Sequence, residues 1–211
     1  MIDYLVHKKN YLIFIFTLVY LAVFTINAIF RQNYEFLYYT FLMVTLIYIV
    51  SSIHKKLHLG FFIIINLSVL GFLHLLGGNL YFGQLRLYDF YIIGGIIKYD
   101  NVIHTYATFI ATLGLYSLIE PFIDISLKKQ YYIFALILIL MAIGLGTINE
   151  LVEFFAVLLF DVTEEVGGYF NNALDLLFNT LGAIVGTVVI YFYNYRPKFI
   201  QRIDGQIDQN N

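Results

Sequence analysis

The chain has 211 residues, is 61% hydrophobic and 12% charged, and carries a formal net charge of −2. Its mean hydropathy of +0.80 excludes an ordinary soluble domain, and the charge leaves no basic footprint for nucleic acid. The absence of cysteine removes disulfides, thiolate nucleophiles and thiolate metal sites together.

Crossing a bilayer takes roughly 20 residues of apolar helix. The first such run, 11–30, follows Lys8 and Lys9. It is too long for the apolar region of a signal peptide and no A-x-A site follows it, so it is expected to be a retained span. Further spans are expected at 36–53, 59–76, 101–118, 131–149 and 173–193, the third stopped by Gly77-Gly78. A Tyr/Gly-rich connection joins Gly77 to Asp100, and no proline falls inside a span, which suits continuous helices. The expected fold is all-α: a polytopic membrane protein, a bundle of about six transmembrane helices. One domain would cover 1–200, followed by a polar cytoplasmic tail at 201–211.

Positive charge sets orientation. With the N-terminus inside, the cytoplasmic segments hold Lys8, Lys9, Lys55, Lys56, Lys128, Lys129, Arg196, Lys198 and Arg202. The outer segments hold Arg31, Arg86 and Lys98 alone, so both termini are expected in the cytoplasm of a cell with a plasma or inner membrane. His7, His54 and His58 then sit among the inner lysines and read as interfacial, while Asp161, Glu164 and Glu165 read as a solvated outer loop.

This topology gathers the unusual polar residues at one face. His74 ends the third span, Asp100 and His104 start the fourth, Glu150 and Glu153 end the fifth, and Asn172, Asp175 and Asn179 start the sixth. Residues three or four apart share a helix face, which pairs Asp100 with His104 and Glu150 with Glu153. Asn172, Asp175, Asn179, Gly182 and Gly186 form one stripe whose lower part, Gly-x-x-x-Gly, suits close helix approach.

Such a cluster suits three chemistries. Imidazole and carboxylates can bind a divalent cation, Mg, Ca or Mn by ligand hardness, with Zn admissible through the histidine. Paired carboxylates can act as general acid and base, and a chain of Asp, Glu and His can relay protons or conduct an ion. The catalytic candidates are His104, Glu150, Glu153 and Asp175. The metal candidates are His104, Glu150 and Asp175, and the other pocket candidates are His74, Asp100, Asn172 and Asn179. Arg86 is the outer arginine nearest the site and a candidate anion contact.

Asp100-x-x-x-His104, Asn149-Glu150-x-x-Glu153 and Asp175-x-x-x-Asn179-x-x-Gly182-x-x-x-Gly186 resemble the motif series of the VanZ-like membrane proteins. With His74-Leu-Leu-Gly77-Gly78 ahead of them, the resemblance is closer to the YjdF-type branch and covers roughly Leu73 to Gly186. Glu153 stands where many VanZ-like proteins have Gln, and Asn171-Asn172 replaces an Arg common before the final Asp. The resemblance implies an integral membrane protein of five or six helices whose activity is not established. Some VanZ-like members are associated with resistance to glycopeptide antibiotics.

The combined expectation is an outward-facing His/Glu/Asp/Asn pocket embedded in the lipid bilayer, acting on or binding a lipid-linked or cell-envelope component with a divalent cation. The alternatives are a small transporter or proton-conducting protein using the same carboxylates, and a non-catalytic envelope-binding or resistance-type protein. The sequence leaves oligomeric state open.

Overall fold

The structure, a computed structural model, describes residues 2–57, 59–161 and 168–195. His58, Glu164, Glu165 and the expected tail at 201–211 lie outside the described residues. Six long helices carry the fold: α1 (Ile2–Phe30), α2 (Tyr34–Leu57), α3 (Phe61–Asn79), α4 (Tyr99–Ile119), α6 (Tyr131–Phe160) and α7 (Tyr169–Ile190). Each is long and apolar enough to cross a membrane. A short helix, α5 (Ile125–Lys129), joins α4 to α6, and a π-helical turn at Tyr191–Tyr195 follows α7.

The connection between α3 and α4 is more ordered than the sequence suggests. β1 (Tyr81–Phe82) pairs antiparallel with β2 (Leu85–Arg86), and β3 (Tyr91–Ile93) with β4 (Ile97–Lys98). Gly83, Gly94 and Gly95 supply the positive φ that these tight turns need. The segment is tied down by a buried ion pair: Arg86 Nη1 lies 3.0 Å from Glu35 Oε2 at the start of α2, and Nε lies 3.3 Å from Asp89 Oδ2. Burial opposes the Arg86 charge, but Glu35 and Asp89 outweigh it and hold the guanidinium above its ordinary pKa. Arg86 is therefore a structural cation committed to carboxylates, rather than the anion contact expected of it.

Two helix ends differ from expectation. Gly77 and Gly78 do not stop α3, which continues to Asn79. They are small because Tyr88 and Tyr99 press on Gly77, and Phe36 on Gly78, where a Cβ would collide with the rings. α6 runs eleven residues past Asn149, because Leu151 to Phe160 contains no Gly or Pro to interrupt it. It ends where Asp161 adopts left-handed φ and ψ of 55° and 43°. Glu150 and Glu153 thus lie within a helix of 30 residues, about 45 Å long, rather than at its end.

Packing is arranged around α4, which touches α3, α6 and α7. At the end near the β-hairpins, Phe36, Tyr39, Leu75 and Ala156 share a core with Tyr20, Leu21 and Ala28. Towards the other end, Phe134, Leu138 and Ile190 are buried against Leu113 and Tyr116. Between these, α4 and α7 approach closely because Gly182 faces the Thr105 carbonyl and Thr108 hydroxyl, and Gly186 faces Thr112. A side chain at Gly182 would have to displace backbone. Gly182→Ala is therefore expected to cost about 1–3 kcal/mol, seen as a lower Tm in detergent. Gly144→Ala, where nothing lies within 4 Å, should leave Tm unchanged or slightly raised.

Candidate functional site

The polar residues of α4, α6 and α7 converge on one imidazole. His104 lies one turn inside α4, and its Nε2 stands 3.4 Å from Asp100 Oδ1, 3.8 Å from Glu153 Oε1 and 3.8 Å from Asp175 Oδ1. Its Nδ1 stands 3.5 Å from Glu150 Oε1 and 3.3 Å from Asn179 Oδ1. Helix geometry explains the convergence. Asp100 is four residues before His104 on one face, while Glu150 and Glu153 are three apart and straddle the ring from α6. Asp175 and Asn179 are four apart on the α7 face that packs on α4.

The site is deep but not closed. The Asp175 and His104 side chains are 0% and 6% exposed, whereas Asp100 and Glu153 retain 16% and 18%. The exposed carboxylates therefore mark where the site opens. Asp175 is fixed by two neutral donors, Asn101 Nδ2 at 3.2 Å and Asn171 Nδ2 at 2.7 Å. Asn101 also accepts from the Lys98 backbone N–H at 3.0 Å, which ties the start of α4 to the site. Asn179 packs over Gly146 of α6, where a Cβ would lie 2.8 Å from its Nδ2. Both Glu150 oxygens and Asn179 Nδ2 are buried without a well-formed hydrogen bond among the described residues.

His74 is not among the groups around His104. Its Nδ1 lies 2.5 Å from the Tyr88 hydroxyl, and its ring packs against Phe36, Tyr39 and Tyr88. Burial first, then the charges of Asp100 and Glu153, push the Tyr88 phenol well above its ordinary pKa. The Tyr88 phenol therefore keeps its proton in the hydrogen bond it shares with His74 Nδ1. Asn172, near the start of α7, has no contact with His104 among those described, and its Oδ1 is buried without a hydrogen-bond partner among the described residues. The expected grouping of His104, Glu150 and Asp175 is divided, because Glu150 faces Nδ1 of the ring and Asp175 faces Nε2. Two sets of potential ligands result: Asp100, His104 and Asp175, and His104, Glu150 and Glu153.

Four carboxylates around one imidazole form an unbalanced charge in an apolar bundle. Even with a protonated ring, three negative charges would remain if every carboxylate were ionised, and each charge at membrane depth costs about 2.5 kcal/mol or more. Protons or a cation must make up the difference. Within each set the potential ligand atoms lie within 4.8 Å of one another, a spread that a cation with ligands about 2.1–2.4 Å away can span.

Sequence reasoning missed Asn101, Asn171, Tyr39 and Glu35. Asn101 carried a usable signal, being one residue after Asp100 and at the third helical position; Glu35 shows no pattern because its partner lies 51 residues away.

The architecture and site thus define a six-helix integral membrane protein, embedded in lipid and multi-pass, with a buried His/Asp/Glu cluster at one end of the bundle. The chain belongs to the family described as predicted membrane protein (DUF2238), whose model matches residues 12–196. No curated protein and no solved structure matches it.

Asn101 is the residue whose loss should be felt most locally. Asn101→Ala removes a donor from buried Asp175 and an acceptor from the α4 start, and is expected to cost about 1–3 kcal/mol in detergent unfolding.

Proposed function

We propose that this membrane protein holds a divalent cation at its outer face and uses it to bind or act on a lipid-linked or cell-envelope component. The observation that carries the reading is the set of Asp100, His104 and Asp175, whose ligand atoms all lie within 4.8 Å of one another. On this reading His104, Asp100 and Asp175 are the ligands, and Glu153, 3.8 Å from His104 Nε2, flanks them. Asn179 accepts from Nδ1–H and orients the ring, as outer-shell partners of metal-bound histidines do. Glu150, on the Nδ1 side, is the group free to hold a proton of a bound substrate or water. A single domain with both termini cytoplasmic is part of the same proposal, and it makes the hairpin end extracytoplasmic. The motif order supports placing the chain beside the VanZ-like proteins, in their YjdF-type branch.

The polar character stops below the cluster, which favours chemistry at the face over transport. Thr108 and Thr112 donate to carbonyls one turn back in α4, and Thr187 donates to Ile184. Gly182 and Gly186 bring the two backbones together at the same level. Among the described residues no titratable side chain continues the cluster along this interface.

Cation binding in detergent or nanodiscs tests the ligand assignment. Asp175→Asn is expected to weaken Mn²⁺ at least about tenfold, whereas Glu150→Gln retains binding within a few-fold. Equal loss in both variants would move Glu150 into the ligand set. Orientation is tested by reporter fusions: an extracytoplasmic signal from a fusion at Glu164 and a cytoplasmic one at the C-terminus are expected. The reverse pair would place the cluster on the cytoplasmic face.

A further inference from the structure

One feature of α6 does not belong in a helix facing hydrocarbon. Asn149 is exposed, and it lies among exposed Leu145, Ile148 and Leu151. Its Nδ2 donates to Glu153 Oε1 at 2.7 Å. Because Glu153 is also 3.8 Å from His104, this amide joins the lipid-facing side of α6 directly to the buried cluster.

Above Asn149, α2 closes on α6: Tyr38 stacks against Phe160 at 5.7 Å between centroids, and Tyr39 packs with Val152 around fully buried Ala156. One and two turns below Glu150, Gly146 and Ala142 are buried again. The exposed amide sits between these levels, beneath the α2–α6 contact. Near it is a second polar group, the Tyr39 hydroxyl, which has no hydrogen-bond partner among the described residues, in a residue only 7% exposed and in electrostatic contact with Glu153. An unpaired hydroxyl and an exposed amide at this depth are costly in hydrocarbon, and both are satisfied if a polar group enters from the side.

The charges near the site narrow what that group is. Among the described residues, the basic side chains of the hairpin end are engaged. Arg31 bonds Asn27 and lies over the Tyr81 ring, Arg86 pairs with Glu35 and Asp89, and Lys98 lies 3.8 Å from Asp89 and over the Tyr91 ring. An anionic head group would find only carboxylates unless a cation intervened.

Building on the cation site proposed above, we infer that the α2–α6 face beneath the Tyr38–Phe160 contact, where Asn149 is exposed, is a lateral entrance. Through it the phosphate head group of a membrane lipid reaches the cation at His104. Tyr39 and Asn149 donate to the head group while its acyl chains stay in the bilayer. The exposed edge of Asp100 leaves the same cation open to a second, water-borne reactant.

The test uses the full chain in phosphatidylcholine nanodiscs, with Mn²⁺ affinity as the readout. Adding phosphatidic acid, a lipid phosphate monoester, is expected to tighten Mn²⁺ binding at least about tenfold through bridging. Soluble glycerol 3-phosphate at the same nominal concentration is expected to have no comparable effect. Leu145→Trp, one turn below Asn149 on the same face, should remove the lipid effect by covering that face while Mn²⁺ binding without the lipid persists. A soluble phosphate as effective as the lipid, or a full lipid effect in Leu145→Trp, would overturn the lateral entrance. Absence of Mn²⁺ binding in phosphatidylcholine alone would instead defeat the cation reading. The entrance would then be judged by photocrosslinking: a lipid bearing a photoreactive group beside its phosphate should label Tyr39 or Asn149, and labelling confined to other helices would overturn it.

Discussion

The rest of the structure depends on an imbalance of charge. Four carboxylates approach one imidazole inside a bundle of apolar membrane-spanning helices. An arrangement of this kind is held only if the surrounding helices cannot separate, because parting them would expose the acids to hydrocarbon. The close approach of α4 and α7 over Gly182 and Gly186 provides that rigidity. It also sets the angle at which Asp175 and Asn179 meet His104. The glycines are thus part of the site, since they decide where the ring and the carboxylates stand.

The hairpin segment plays a complementary part. Short strands with little core of their own would not hold a fixed position, yet the Glu35–Arg86 pair and the rings of Phe36 and Tyr88 bind them to α2 and α3. Tyr88 passes the constraint on by bonding His74 and pressing against Gly77. Removing Arg86 alone would take from buried Glu35 its guanidinium 3.0 Å away, the expensive way to break such a pair. The segment therefore shapes the wall of aromatic side chains beside the cluster without supplying a ligand to it.

Much of this was legible in the sequence because membrane helices leave strong signals. Long apolar runs locate the spans, and three- and four-residue spacing places Asp100 with His104 and Asp175 with Asn179 on single faces. Where the polar residues lay relative to helix ends was less legible. The run after Asn149 is apolar enough to continue α6, so the two glutamates became internal to it. Likewise Gly77-Gly78 looks like a helix stop, and only the rings packed on it show that it is a close contact. Which ring nitrogen each acid faces depends on the approach of three helices, information that no spacing within one helix contains. The Arg86–Glu35 pair is invisible for the same reason, since its members lie on separate elements.

A bound cation would reconcile these carboxylates with their setting. The most direct test is the metal content of the wild-type chain, purified without chelators and reconstituted with divalent ions supplied. About one tightly held divalent cation per chain is expected, absent from His104→Ala. A wild-type chain that folds in the bilayer and carries no divalent ion would contradict the cation reading.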